Sequence, residues 1–116
     1  MGFNVSVRQV DAVTLVTITG SVMWAEAEAL HEMFRDLLAK GQKRILLNLS
    51  SVKHLDSSGI GELARIYVAV VKHGGAMKVI GLTPKVEEVL KITHLSQVFQ
   101  EFPDEQTALQ SFPAIT

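Results

Sequence analysis

Segments in which apolar side chains have the spacing or the short runs typical of strands are followed along this chain by segments with the three- to four-residue apolar spacing of helices. This alternation constrains the fold more than any other feature. Residues 5–10 alternate apolar and polar side chains, and residues 13–19 are rich in β-branched side chains. Together they predict a β-hairpin with a turn at Asp11-Ala12. Beyond it, runs with the three- to four-residue spacing of helices are separated by short apolar runs typical of strands. The pattern predicts an α/β protein with a mixed, mostly parallel sheet and right-handed crossovers.

The predicted order of elements is ββαβαβα(β)α, with a short fifth strand at an edge. Gly20-Ser21 is predicted to end the second strand before the first helix. The run at 45–49 is too apolar for a strand with one solvated face, which predicts a central strand covered on both sides. The 116 residues have the length of one domain, so we expect a single domain over 1–116, with four or five strands flanked by about four helices. Strands are predicted at about 5–10, 13–19, 44–49, 77–80 and 98–102, and helices at about 24–40, 60–73, 84–92 and 103–112.

Composition argues against several classes of function. The chain has no cysteine, so neither a disulfide framework nor a thiolate metal site is expected, and a reducing cytoplasm fits. Its 11 basic and 12 acidic residues give a net charge of −1 without a basic stripe, so no nucleic-acid partner is expected. Neither an apolar run of the ~20 residues that span a bilayer nor a secretory signal is present, so no membrane insertion is expected. The histidines lack the spacing of helical zinc ligands and no phosphate-binding glycine loop occurs, so we expect no metal and no cofactor.

The segment Asp56-Ser57-Ser58-Gly59-Ile60-Gly61 joins the predicted central strand to the second helix. Residues 50–55 are predicted to form a loop that brings this segment to the carboxyl edge of the sheet, where functional sites of open α/β sheets lie. The first N–H groups of a helix have no hydrogen-bond partner within the helix, so a negative group is stabilised there. A serine at this turn is therefore a candidate to carry, bind or lose a phosphate.

Residues 45–61, which include ILLNLSSV and LDSSGIG, resemble the signature of the STAS family, the domain of bacterial anti-sigma factor antagonists. The order of elements resembles that family over essentially the whole chain, and Gly81-Leu82-Thr83-Pro84 after the fourth strand also fits. The resemblance implies a partner-switching protein without catalytic activity of its own.

In the cycle that the resemblance implies, the unphosphorylated protein binds an anti-sigma factor that is also a serine kinase, and a sigma factor is freed. The kinase phosphorylates the second serine of the motif, here Ser58, and a serine phosphatase resets the cycle. A phosphate adds about −1.5 to −2 charges, so we expect it to act on binding with little change in fold. A monomer or weak dimer is expected.

The neighbours of Ser58 each have a structural alternative to a partner contact. Asp56 is expected to position the kinase or its nucleotide-bound metal, to cap the helix, or both. Ser57 is expected to hydrogen-bond the turn, with its own phosphorylation as the alternative. Gly59 and Gly61 either admit a partner's backbone or serve turn geometry. Ile60 is expected either as an apolar partner contact or in the core.

Met23 and Trp24 lie at the junction of the second strand and the first helix, on the edge predicted for Ser58. The pair is interpreted as an interface anchor, with packing of Trp24 against the core as the alternative. Many members of the family have Gly-x-Leu-Asp where this chain has Gly20-Ser21-Val22-Met23. A partner contact through that carboxylate is therefore not expected here.

The same residues suggest two other functions. The first is a non-catalytic scaffold or accessory subunit of a lipid-transport or stress-signalling complex. The second is a small hydrolase with Ser58 as nucleophile, which is disfavoured because Ser58 lies outside a Gly-x-Ser-x-Gly elbow and no histidine has a convincing triad relation to it.

Overall fold

The computed structural model describes residues 2–113 and contains one five-stranded sheet with four helices. The sheet has the order β1-β2-β3-β4-β5, in which β1 and β2 are antiparallel and the other neighbours are parallel. This arrangement confirms the predicted mixed α/β fold. The elements are β1 (Asn4–Val10), β2 (Val13–Val22), α1 (Trp24–Ala39), β3 (Arg44–Leu55), α2 (Ser57–Lys72), β4 (Ala76–Ile80), α3 (Pro84–Ile92), β5 (Gln100–Phe102) and α4 (Glu105–Ser111).

Residues 45–49 of the central strand β3 are covered on both faces, as their apolar run predicts, whereas the second half of the strand has exposed residues. Its alternating side chains divide between two apolar clusters: Ile45 and Leu47 belong to the larger one and Leu46 to the smaller one. Helices α1, α2 and α3 contribute to the larger cluster, whereas α4 contributes Ala108 to the smaller one. Three helices therefore cover one face of the sheet and one short helix covers the other.

Strands β2 and β3 are longer than the sequence pattern predicts. Residues 50–55, predicted to be a loop, are strand, and Gly20-Ser21 lies inside β2. The two extensions pair with each other, Thr19 opposite Ser51 and Val22 opposite Leu55, with register irregularities between them. Polar side chains obscured this strand in the sequence, and its backbone partners lie about thirty residues away along the chain.

The extended pairing of β2 with β3 determines where helices α1 and α2 begin. Because Val22 and Leu55 end side by side, helices α1 and α2 begin next to each other at the same edge of the sheet. The Asp56 backbone N–H also donates to the Val22 carbonyl oxygen at 3.4 Å, which continues the contact beyond the two strands. The two helix N-termini are therefore held together by strand pairing.

Candidate functional site at the start of helices α1 and α2

A single carboxylate contacts both helix N-termini. Asp56 precedes α2, and its Oδ1 accepts a hydrogen bond from the Gly59 N–H at 2.8 Å, which is the geometry of a helix cap. Its Oδ2 accepts a second bond from the Trp24 N–H, at the first residue of α1, at 3.1 Å. The capping role predicted for Asp56 is confirmed, and it extends to a helix that begins 32 residues earlier.

The two glycines of the motif serve different purposes. A Cβ on Gly59 would lie 2.1 Å from the Val22 carbonyl oxygen and 2.8 Å from Leu55 Cδ1, so only glycine lets α2 start this close to the end of β2. A Cβ on Gly61 would meet only Nη1 of Arg65, at 3.9 Å, which is ordinary contact. Gly59 is buried and shapes the turn, whereas Gly61 leaves open space on the surface of α2.

Ser57 and Ser58 occupy the first two positions of α2 and line an open groove of about 690 Å³ between α1 and α2. Ser57 is exposed and Ser58 is half-buried. Within residues 2–113, the Oγ of Ser58 makes no hydrogen bond. The hydroxyl is therefore accessible from the groove and is not engaged in holding the fold.

The groove contains a buried carboxylate that the sequence analysis missed. The Glu62 side chain is only 5% exposed, and its Oε2 lies 2.9 Å from Nδ1 of His31 on α1. Arg65, one turn further along α2, donates from Nη2 to Glu62 Oε1 at 3.2 Å. The spacing of Ser58, Glu62 and Arg65 by four and three residues was a usable signal, because such residues share one face of a helix.

Trp24 stands at the rim of this groove with 78% of its surface exposed. The alternative that it packs against the core is therefore wrong, and Trp24 is available for an interface. Met23 is 38% exposed beside it, and its backbone N–H donates to Oε1 of Glu26 at 3.0 Å, which closes the first turn of α1.

The sequence of this chain matches a known protein family. The model of the STAS domain family matches residues 4–108. This chain belongs to the STAS domain family.

Several STAS domain proteins resemble it along most of its length. The anti-sigma-B factor antagonist of Bacillus subtilis is 29% identical over 98 residues, which cover 84% of this chain and 89% of that protein. The crystal structure of an anti-sigma factor antagonist from Mycobacterium paratuberculosis has a TM-score of 0.83 at 25% identity and covers 95% of this chain and 93% of that one.

Two further solved structures share the fold at lower sequence identity. The anti-sigma factor antagonist SpoIIAA in its unphosphorylated form has a TM-score of 0.79 at 16% identity and covers 92% of this chain and 94% of that one. A murine anion transporter, Slc26a9, contains the fold in 18% of its chain, with a TM-score of 0.71 over 89% of this chain at 20% identity. At these identities the likeness concerns the fold alone.

The remaining predicted residues of this STAS domain lie beneath the surface. Ile60 is 2% exposed within the larger apolar cluster, which agrees with the core alternative and leaves no side-chain surface for a partner. Leu55, at the end of β3, is 8% exposed and packs in the same cluster. The structure thus brings Asp56, Ser57 and Ser58 together with Trp24 at the surface and places Gly59 and Ile60 below them.

Two features are absent from residues 2–113. None of the helices in that range is long and apolar enough to cross a membrane. Over the same part of the chain, no three histidine or acidic side chains lie close enough together to hold a metal ion.

Proposed function

We propose that this chain is an anti-sigma factor antagonist whose docking surface is switched by phosphorylation of Ser58. The unphosphorylated form binds an anti-sigma factor with serine kinase activity in the cytoplasm, and the phosphorylated form is released until a serine phosphatase removes the phosphate. The observation that carries the proposal is the half-buried Ser58 at the start of α2, in a groove rimmed by the exposed Trp24.

The fold is suited to a reversible phosphate at this position. Asp56 holds the two helices through Gly59 and Trp24, so the hydrogen bonds that cap them do not involve the Ser58 hydroxyl. The partial positive charge at a helix N-terminus favours an added negative group. Phosphorylation is therefore expected to leave the fold in place and to act through the surface.

An added negative charge on this surface is expected to weaken partner binding. A flat or grooved interface with an exposed tryptophan anchor excludes water around its centre. A phosphate of about −1.5 to −2 charges next to that anchor must be desolvated or left unpaired, which costs several kcal/mol, and each 1.4 kcal/mol weakens affinity tenfold. We therefore expect at least a hundredfold loss of affinity.

The predicted partner-binding residues form two groups in this function. Ser57, Met23 and Trp24 form the contact surface together with the exposed edge of Asp56. Gly59 and Ile60 act indirectly, because the first sets the approach of α2 to β2 and the second anchors α2 to the core.

The direct test is phosphorylation by the cognate kinase. The protein is incubated with ATP and anti-sigma factor kinases encoded in the same genome, and the modified residue is mapped by mass spectrometry. Ser58→Ala should abolish modification, whereas the matched control Ser57→Ala should retain it. Calorimetry then compares kinase binding by the two forms. Modification of a different residue, or equal affinity of both forms, would refute the proposal.

A second candidate function is a non-catalytic subunit of a larger complex, favoured by the occurrence of the same fold inside a transporter. In that case the charge at position 58 is irrelevant, so Ser58→Ala and Ser58→Asp should bind the same partners equally. Stable isolation with membrane proteins from cells, unaffected by either substitution, would support this alternative against the switch.

A further inference from the structure

The groove contains more than a phosphorylation site. This inference rests on the proposed function and concerns where the phosphate goes once it is attached. Helix α2 presents Ser58, Gly61, Glu62 and Arg65 toward the groove, spaced by three and four residues. Residues with this spacing are neighbours on a helix surface, with Cβ atoms about 5–6 Å apart.

The Arg65 side chain reaches back along α2 toward Ser58. Its Nη2 donates to Glu62, in the preceding turn, and its Nη1 lies 3.9 Å from the position that a Cβ on Gly61 would occupy. Because Gly61 has no side chain, α2 leaves open space beside this guanidinium at the position one turn after Ser58. The Arg65 side chain is 65% exposed, so it is free to change rotamer.

The charges around Ser58 favour the pairing of an added phosphate with a cation. Asp56 precedes Ser58 by two residues, Glu62 lies one turn later on α2, and Glu28 of α1 lines the same groove. The cationic or protonatable groups in the same groove are Arg65 on α2 and His31 on α1. An added phosphate would meet carboxylates on both helices, and a guanidinium is the side chain best matched to bind it with two hydrogen bonds.

We propose that the Arg65 guanidinium leaves Glu62 and binds the phosphate on Ser58, while His31 keeps the buried Glu62 carboxylate hydrogen-bonded. The exchange is noncovalent and redistributes existing donors. With the arginine drawn over Gly61, the groove is closed along α2. Phosphorylation then acts on a partner in two ways, by adding charge and by covering the floor of its docking groove.

The test uses protein that carries phosphoserine at position 58 introduced during synthesis, so no kinase is needed. A ³¹P NMR titration measures the second pKa of the phosphate, which is about 6 without a partner. Arg65→Gln should raise that pKa by about half a unit to one unit, because the dianion loses its cation. Arg35→Gln is the matched control: it removes an exposed arginine of α1 that lines the adjoining cleft but not the Ser58 groove, and it should leave the pKa unchanged.

Two further measurements separate a direct contact from a general charge effect. Gly61→Leu keeps every charge but fills the path, and it should raise the phosphate pKa in the same direction. The ¹⁵Nε signal of Arg65 should move when Ser58 is phosphorylated in the otherwise unaltered chain, which tests the contact without any substitution at the arginine. Equal phosphate pKa values in all four proteins, or an unmoved Arg65 signal, would overturn the inference.

The two proposals can fail separately. If no kinase modifies Ser58, the proposed function fails, yet the titration of the synthetic phosphoserine still reports whether Arg65 binds it. If Arg65 proves indifferent to the phosphate, the kinase cycle remains tested by its own binding measurement.

Discussion

Replacement of Asp56 tests whether one carboxylate holds two helices. In Asp56→Ala, the N–H groups of Gly59 and Trp24 both lose their acceptor. Loss of a helix cap costs about 1 kcal/mol, within a range of 0.5–2, and a negative charge near each helix N-terminus contributes about 0.3–1 kcal/mol more. The unfolding free energy should therefore fall by about 2–3 kcal/mol, a large share of the 5–15 kcal/mol typical of a domain.

Asp56→Asn divides this loss into its parts. The asparagine carbonyl can still accept from the Gly59 N–H, but its NH₂ group cannot accept from the Trp24 N–H. We expect a loss of about 1–2 kcal/mol, smaller than that of the alanine variant. Asp104→Ala is the matched control, because Asp104 Oδ1 accepts from the Thr107 N–H at 2.7 Å and caps α4 alone. It should cost less than Asp56→Ala.

Urea unfolding followed by far-UV circular dichroism measures all three variants. The dependence of the free energy on urea concentration should stay constant, since the area exposed on unfolding does not change. If Asp56→Asn were as stable as the parent chain, the contact with Trp24 would contribute nothing. If Asp56→Ala lost no more than Asp104→Ala, the inference that one side chain caps two helices would be refuted.

Three further predictions address the surroundings of the site and the opposite face. Gly59→Ala should destabilise by about 1–3 kcal/mol in urea unfolding because its methyl group overlaps a strand carbonyl, whereas Gly61→Ala should stabilise by about 0.5–1 kcal/mol. Fluorescence of the single tryptophan, Trp24, should be quenched readily by acrylamide in the free protein and become protected on partner binding, because the residue is 78% exposed. Burial, and then the charge of Arg44, lowers the pKa of Lys78 below 10.5, so the folded state binds fewer protons there than the unfolded state. Unfolding free energy should therefore rise with pH between the lowered value and 10.5, and Lys78→Met should remove that rise.

In the proposed switch, the residues that hold the fold are different from the residues that bind the partner. Asp56 holds the two helix N-termini through its hydrogen bonds and Gly59 permits the close approach of α2 to β2, while Ser58 and Trp24 line the groove. A charge added on the groove side therefore changes what the surface can bind without removing a contact that holds the fold. This separation is what a binding switch requires, because the domain must survive both states.

The sequence by itself determined the class of fold and the position of the motif. The apolar run at 45–49 is compatible only with burial on both faces, and the alternation that follows it implies parallel strands. Aspartate before a helix predicts a cap from local chemistry alone, and that prediction held because the bond to Gly59 spans three residues. Features that depend on residues close together in the sequence could therefore be predicted from the sequence.

Only the tertiary structure decided what the site is made of. The strand character of residues 50–55 depends on pairing with β2, and the bond from Trp24 to Asp56 joins residues 32 apart. The exposure of Trp24 and the burial of Glu62 likewise depend on how α1 packs against α2. His31 on α1 contacts the Glu62 carboxylate on α2. Such contacts are invisible to periodicity, because a pattern along one segment reports which face is apolar but not which distant segment will cover it.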